Sequence, residues 1–402
     1  MNDFVAVGIA LLVLAGLAWM LYRPKVQHSE RYQAMVVPLA NIMDVGFIVM
    51  APAIVLLAGY SAPLVMLGIC LVAIATGFAI AYNIRHYEPV EGTDDPVNRV
   101  GHVSRWALTF ASVINIAYYT LLLITLVLWP LGAYSETTLA IVGTALLGVL
   151  IIVGMAGGMD RLNDLGNKTT AFNISAVVAV VAAFVVYNVQ EALGGRFDLP
   201  PTGSTISAED FRKIIGLFAI VQGFEAARYI GRRFSGELRI TTMRIAQVIS
   251  TVVFVALLAS VLILFVQVET DFSGTAIFVV SDQVGDWMPW LILVAAIGSQ
   301  TSAIINATMS RSDMLVDHKV LGRGVSRRWS FVLLLAPAIA IFLLVDITQA
   351  VALASRVFAA YFVLQAVIAW ILARRVQNWP AMAGFTAIAL TMGTITIFGL
   401  PI

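Results

Sequence analysis

Long apolar runs alternate with short polar segments along the whole chain. Runs of roughly 18 residues or more, the length an α-helix needs to cross a bilayer, recur at approximately 4–22, 35–60, 62–84, 106–133, 137–157, 169–190, 212–230, 244–267, 287–312, 329–345, 348–373 and 380–400. They predict an all-α integral membrane protein of about twelve spanning helices. No soluble domain fits between them, since the connections are as short as "SA" (Ser61–Ala62) or polar and rich in Pro and Gly, as in "GGRFDLPPTGSTISAED". The first run follows an acidic rather than a basic residue and lacks a small-residue cleavage pattern, so it reads as a retained helix.

Two runs carry an acid at depth. The stretch "NIMDVGFIVMAP" (Asn41 to Pro52) lies inside the run 35–60, which as one helix would reach roughly 39 Å. Asp44 would then sit about 14 Å from its start, near mid-membrane. A carboxylate there costs about 2.5–3.5 kcal/mol even on the lenient insertion scale. Glu225 falls roughly 17 Å past Ile214, the first apolar residue of the run 212–230. Each acid lies two residues from a glycine, Gly46 or Gly223, and glycine weakens a helix interior by about 1 kcal/mol relative to alanine. Unwound backbone within a membrane is tolerated only where it is packed in protein or lines a wet cavity. Two carboxylates at comparable depth in two runs, each near a glycine, form the constellation singled out as the candidate site.

Composition agrees with the pattern. The chain is 60% hydrophobic and only 12% charged, where soluble domains carry about 25% charged residues. Twenty Lys and Arg fall in loops on one side of the predicted topology and three (Arg196, Arg212, Lys213) on the other; Arg356 lies within a span. The positive-inside rule makes the first side cytoplasmic, which places a multi-pass protein in the cell (inner) membrane with both termini on the non-cytoplasmic side. A single cysteine, Cys70, excludes a disulfide within the chain. The absence of CxxC, HExxH, GxxxxGK[ST] and G-x-S-x-G, and four histidines confined to polar segments, argue against a hydrolase, a nucleotide-driven pump or a haem protein. No enzyme, no metal centre and no nucleic-acid partner is expected. The basic loops explain topology and contact with the lipid bilayer.

Three separated stretches carry a resemblance. "GFEAARYIGRRFSGELRITTMRIAQVI" (Gly223 to Ile249) resembles the sixth core helix and following loop of the amino acid–polyamine–organocation (APC) superfamily. "SQTSAIINATMSRSDMLVDH" (Ser299 to His318) is similar to that family's eighth core helix, and "IMDVGFIVMAP" to its broken first core helix, usually G-x-G-[IV]-[FG]. The resemblance covers residues 31–375. It implies a leucine-transporter-like fold: two five-helix repeats of inverted topology, with solute bound where core helices one and six unwind. Residues 31–200 would be the first repeat and 201–375 the second. Residues 1–30 would add an N-terminal transmembrane helix, and 376–402 a peripheral C-terminal one.

The resemblance also implies roles. Asp44, Val45 and Gly46 on the first broken helix, Gln222, Gly223 and Glu225 on the second, and Tyr118 and Tyr119 on core helix three would bind solute, with Asn115 as a helper. Thr301 and Ser302, adjacent hydroxyls on core helix eight, would join Met43 of the broken helix to hold a coupling cation; sodium, a hard cation, wants such oxygens. Proton-coupled relatives place a lysine midway along core helix five, and here only Lys168 stands, at its start. Glu225, Arg228 and Arg356 would gate. Two structural alternatives stand beside these: Asp44 neutralised by Arg356, and Glu225 satisfied by Arg228 three residues on.

The expected function is secondary active transport by alternating access of a small cationic or amine-bearing solute, resembling an amino acid or polyamine, coupled to Na+ or H+. Asp44 replaces a glycine whose neighbourhood holds an amino acid's carboxylate in the family, and a fixed negative charge repels a carboxylate. The alternatives are an inorganic cation carrier of the same fold and a non-transporting sensor or accessory subunit. "DVG" resembles the Asp-x-Gly of potassium and divalent-metal relatives, but "IVQGFEA" lacks the methionine motif of the metal branch. The extra N-terminal helix offers a dock for an accessory subunit or a second copy.

Overall fold

The structure is a computed structural model describing residues 3–195, 206–231, 233–266, 275–317 and 325–402. Arg196, Arg232, Lys319 and Arg323, used above for orientation, lie outside the described residues. Among the described residues the chain is helical throughout, with no strand. The main helices are α1 (Asp3–Leu21), α2 (Glu30–Ile42), α3 (Gly46–Ala58), α4 (Ala62–His86), α5 (Val97–Leu128), α6 (Glu136–Met155) and α7 (Met159–Leu193). They are followed by α8 (Ala208–Ile215), α9 (Gly236–Val261), α10 (Ala276–Asp282), α11 (Met288–Asp317), α12 (Arg327–Leu344), α13 (Ile347–Arg375) and α14 (Trp379–Phe398). Nine stretches among the described residues are long and apolar enough to cross a membrane, one of them the joined α3–α4 segment Gly46–His86.

Two of the predicted runs are not single helices. The run 35–60 divides into α2 and α3 around Met43–Val45, and the run 212–230 becomes α8 followed by the 3-10 segments Phe218–Val221 and Phe224–Ile230. Elsewhere the helices outrun the apolar stretches: α5 begins at Val97 and α7 at Met159, because polar residues continue a helix beyond the hydrocarbon layer at no desolvation cost. Local chemistry sets several helix starts. Ser207 and Asp346 close capping boxes on α8 and α13.

The helices pack as two groups. In the first, α9 lies against α2 and α4, with the segment Phe224–Ile230 against α2, α4 and α9. In the second, α5 is contacted by α6, α11 and α12. Two long helices border both groups, α7 touching α9 and α11, and α13 touching α4 and α5. The outer additions lie against these bordering helices, α1 along α7 and α14 along α13.

At the arginine-rich end, the connection between α4 and α5 is fastened by its acids. Glu88 accepts from Arg239 of α9 at 2.6 Å, Glu91 pairs with Arg105 of α5 at 2.6 Å and with Arg228 at 3.4 Å, and Asp95 takes a two-pronged contact from Arg375 at 2.6 and 2.7 Å. At the opposite end, Arg356 is exposed and donates through Nε to the Thr396 carbonyl at 2.9 Å. Arg212 reaches the Phe398 carbonyl in the same way. These carbonyls belong to the last turn of α14, where backbone acceptors lack intrahelical partners and attract cations. Arg356 therefore serves the end of α14, and the expectation that it neutralises Asp44 is corrected, since among the described residues no ion pair joins the two.

The Asp95 contact gives a pH signature outside the membrane. The Arg375 fork, aided by the Val97 N–H, holds the Asp95 carboxyl down to about 2, against about 3.9 in an unfolded chain. A depressed carboxyl contributes stability above its unfolded value and loses it as pH falls through its folded one. Asp95→Asn is thus expected to melt lower than the parent at neutral pH, with the gap closing between about pH 4 and pH 2. Thermal unfolding of both proteins across that range checks it, and a gap independent of pH would refute it.

Candidate functional site

Breaking a helix inside a membrane frees backbone amides that need partners. At the first break, Val45 N donates to Ser299 Oγ of α11 at 3.2 Å, and Gly46 N donates to Asp44 Oδ1 at 2.5 Å. At the second, Ala219 N donates to Ser355 Oγ of α13 at 2.7 Å, and Gly223 N donates to Glu225 Oε2 at 2.8 Å. Each break is thus stitched twice, once by a serine from a packed neighbour and once by its own acid. Asp44 stands just before the first turn of α3. A charge-assisted hydrogen bond is worth about 1.5–3 kcal/mol and a buried helix N-terminus up to about 2, so together they offset the insertion cost of the carboxylate.

The two breaks touch. Gly223 has φ +119°, and a Cβ built there would meet the Asn41 carbonyl carbon at 2.7 Å and oxygen at 2.8 Å. Gly46 is crowded from two sides, since a Cβ on it would lie 2.6 Å from both Asp44 Oδ1 and Tyr118 Oη. The Tyr118 hydroxyl, fully enclosed, has no hydrogen-bond partner among the described residues and stands beside the acid. Tyr119 accepts from Asn115 Nδ2 at 2.9 Å and lies beside Asp44. Asp44, Tyr118, Tyr119 and Asn115 are all buried.

A cavity of about 780 Å³ lies between the two helix groups at the arginine-rich end. Its walls are α2 and residues 222–234 on one side, and Ser112, Asn115 and Tyr119 of α5 with residues 303–314 of α11 on the other. It reaches inward to Asn41, Gln222 and Tyr119. Of the residues singled out from the sequence, Tyr119, Gln222, Gly223, Glu225 and Arg228 line it. Asp44, Val45, Gly46, Met43 and Tyr118 form the enclosed layer around the first break, which Tyr119 joins to the cavity.

Two further expectations are corrected here. Thr301 is exposed, whereas Ser302 is buried and accepts from Asn173 Nδ2 of α7 at 3.1 Å. Neighbours on a helix diverge by about 100°, and here the Thr301 and Ser302 side chains point apart; Ser299, three residues before Ser302, shares its face and is the hydroxyl that meets the break. Arg228 donates to Gln365 Oε1 and Glu91 Oε2 and lies over the Tyr87 ring at 4.8 Å; among the described residues no ion pair joins it to Glu225. Sequence reasoning missed Ser299, Ser355 and Arg311. The i, i+3 spacing of Ser299 and Ser302 was the available signal for the first, while no local pattern marks Ser355. Among the described residues no cluster of three or more His, Cys, Asp or Glu is placed to hold a metal ion.

Comparison with known proteins supports the same reading. A family model described as APC superfamily transporter matches residues 24–399. An uncharacterized protein of Aquifex aeolicus (strain VF5) is 26% identical over 386 residues, 94% of this chain and 92% of that one. Among solved structures, the substrate-bound outward-open state of a Na+-coupled sialic acid symporter superposes over 99% of this chain and 98% of its own, with a TM-score of 0.56 and 13% identity. That likeness carries the fold.

The geometry separates a structural from a binding role for Tyr118. An unsatisfied buried hydroxyl costs about 1–3 kcal/mol, so Tyr118→Phe is expected to keep or slightly raise the unfolding temperature while weakening solute uptake. A lower melting point with unchanged uptake would contradict the assignment. Gly223→Ala meets both a left-handed backbone and the Asn41 carbonyl, and is expected to lose folded yield, measured by size-exclusion chromatography.

Proposed function

The chain belongs to the APC superfamily of transporters, and we propose that it moves a small cationic or amine-bearing solute by alternating access, coupled to Na+ or H+. The enclosed acid at the first break carries this reading. Asp44 uses one oxygen to hold Gly46 N, beside a tyrosine hydroxyl that has no hydrogen-bond partner among the described residues, in the enclosed layer that Tyr119 joins to the cavity. A cation arriving there gains a carboxylate already desolvated, and the carboxylate gains a counter-charge that it lacks when the site is empty.

Charge compensation also explains coupling between occupancy and movement. Sealing an unpaired carboxylate away from water costs several kcal/mol, while sealing a pair costs much less. Occupied protein therefore occludes more readily than empty protein. The moving unit in this reading is the group containing both breaks, α2–α4, α8, the two 3-10 segments and α9; it rocks against α5, α6, α11 and α12. The cavity at the arginine-rich end is then the cytoplasmic vestibule. Ser299 and Ser302, on one face of α11 and next to the first break, are the oxygens offered for a coupling sodium ion.

Uptake by protein reconstituted into liposomes tests the reading, using radiolabelled amines and rubidium under sodium or proton gradients. Asp44→Asn is expected to lower amine uptake by about 100-fold or more, the equivalent of about 3 kcal/mol, while the protein still melts cooperatively. Rubidium transport without amine transport would shift the assignment to an inorganic cation. No flux of any tested solute under either gradient would sink it.

A further inference from the structure

We propose that Arg311 anchors an anion subsite in the vestibule and takes the carboxylate of a solute that also carries an amine; the inference deepens the transport reading above and rests on it. Arg311 projects from α11 into the cavity and is 6% exposed. A guanidinium at such a place is costly unless an anion compensates it. Arg228 and Arg239 are as buried, and each holds a glutamate, Glu91 and Glu88 respectively. Among the described residues Arg311 has no carboxylate within 4.0 Å.

Its contacts orient the group without consuming it. Nε donates to Ser112 Oγ of α5 at 2.7 Å, and the Tyr229 ring lies 5.3 Å from the guanidinium carbon. Among the described residues the terminal nitrogens meet only the Met314 sulfur, 3.9 Å from Nη1, a weak acceptor. What remains available is the planar two-pronged end of the fork, which matches the two oxygens of a carboxylate better than a spherical anion. Glu225 lines the same cavity, close enough for the Arg311 charge to act on it yet outside ion-pair distance. A cavity presenting a fixed cation and a fixed anion, with Asn115 and Asn306 on its walls, is complementary to a solute whose amine and carboxylate are set apart. Simple amines satisfy only one of those two charges.

The test uses the purified full chain in detergent at constant ionic strength and follows thermal unfolding against sodium acetate, sodium chloride and 4-aminobutyrate. Acetate is expected to raise the unfolding temperature saturably, 4-aminobutyrate to do so at lower concentration, and chloride to leave it unchanged. Arg311→Gln is expected to abolish the acetate response, and Arg311→Lys to shift it to about tenfold higher acetate or beyond, because lysine offers a point charge instead of a fork. An acetate response that is absent from the parent, or that survives in Arg311→Gln, overturns the subsite. So does a response to chloride without one to acetate. If Arg311→Gln is not monodisperse, the lysine variant decides, and an unshifted acetate response there overturns the proposal. Amine uptake measured in parallel keeps the two readings apart: uptake without acetate binding removes this subsite alone, and acetate binding without uptake removes the transport reading.

Discussion

A backbone amide without a partner is intolerable in the middle of a membrane, and much of this site follows from how four such amides are satisfied. Val45, Gly46, Ala219 and Gly223 donate to two serines and two acids. The serines come from helices packed on the breaks, so each interruption is fixed to a neighbour. The acids come from the interrupted segments themselves. Their carboxyl groups are thereby held at the breaks, next to the Gly223–Asn41 contact where the two interruptions meet. The stitching that makes the unwound backbone possible is also what supplies the site with carboxylates.

The sequence made the coarse architecture legible because span length and helix interruption are one-dimensional properties. Apolar runs located the helices, and the Gly46 and Gly223 neighbourhoods located both breaks. Polar extensions such as residues 97–105 were invisible to hydropathy, since nothing in them is apolar. The failures at the site share a cause. Arg356 was offered to Asp44 as an arginine within a span, but membership of a span fixes neither azimuth nor neighbour, and the residue turns to the carbonyl end of α14. Thr301 and Ser302 were paired by adjacency, which on a helix separates side chains. Arg228 was expected to meet Glu225 by the i, i+3 rule. The 3-10 segment does put both on one face, but the Arg228 guanidinium is taken by Gln365 and Glu91, and the Glu225 carboxylate by the Gly223 N–H.

Buried polar groups also sort into two populations. One is linked internally: Asn83 Nδ2, Gln365, Ser104 and Arg228 form a chain of hydrogen bonds joining α4, α13, α5 and the second broken segment. The other faces the cavity or its floor with capacity unspent, including the Tyr118 hydroxyl, the Gln222 carbonyl oxygen and the terminal nitrogens of Arg311. The first population accounts for rigidity in the walls. The second accounts for what those walls are shaped to receive.

Glu91 has a mechanical consequence. It binds Arg105 of α5 and Arg228 of the second broken segment, which stand on opposite walls of the crevice. A single side chain grasping both walls fixes the spacing along that edge. Any motion that preserves the grip is a rotation about it, like a book turning on its spine. Under the proposed rocking motion, travel would be least near Glu91 and would grow with distance from it, so the mouth would narrow as a wedge and not as a parallel slit.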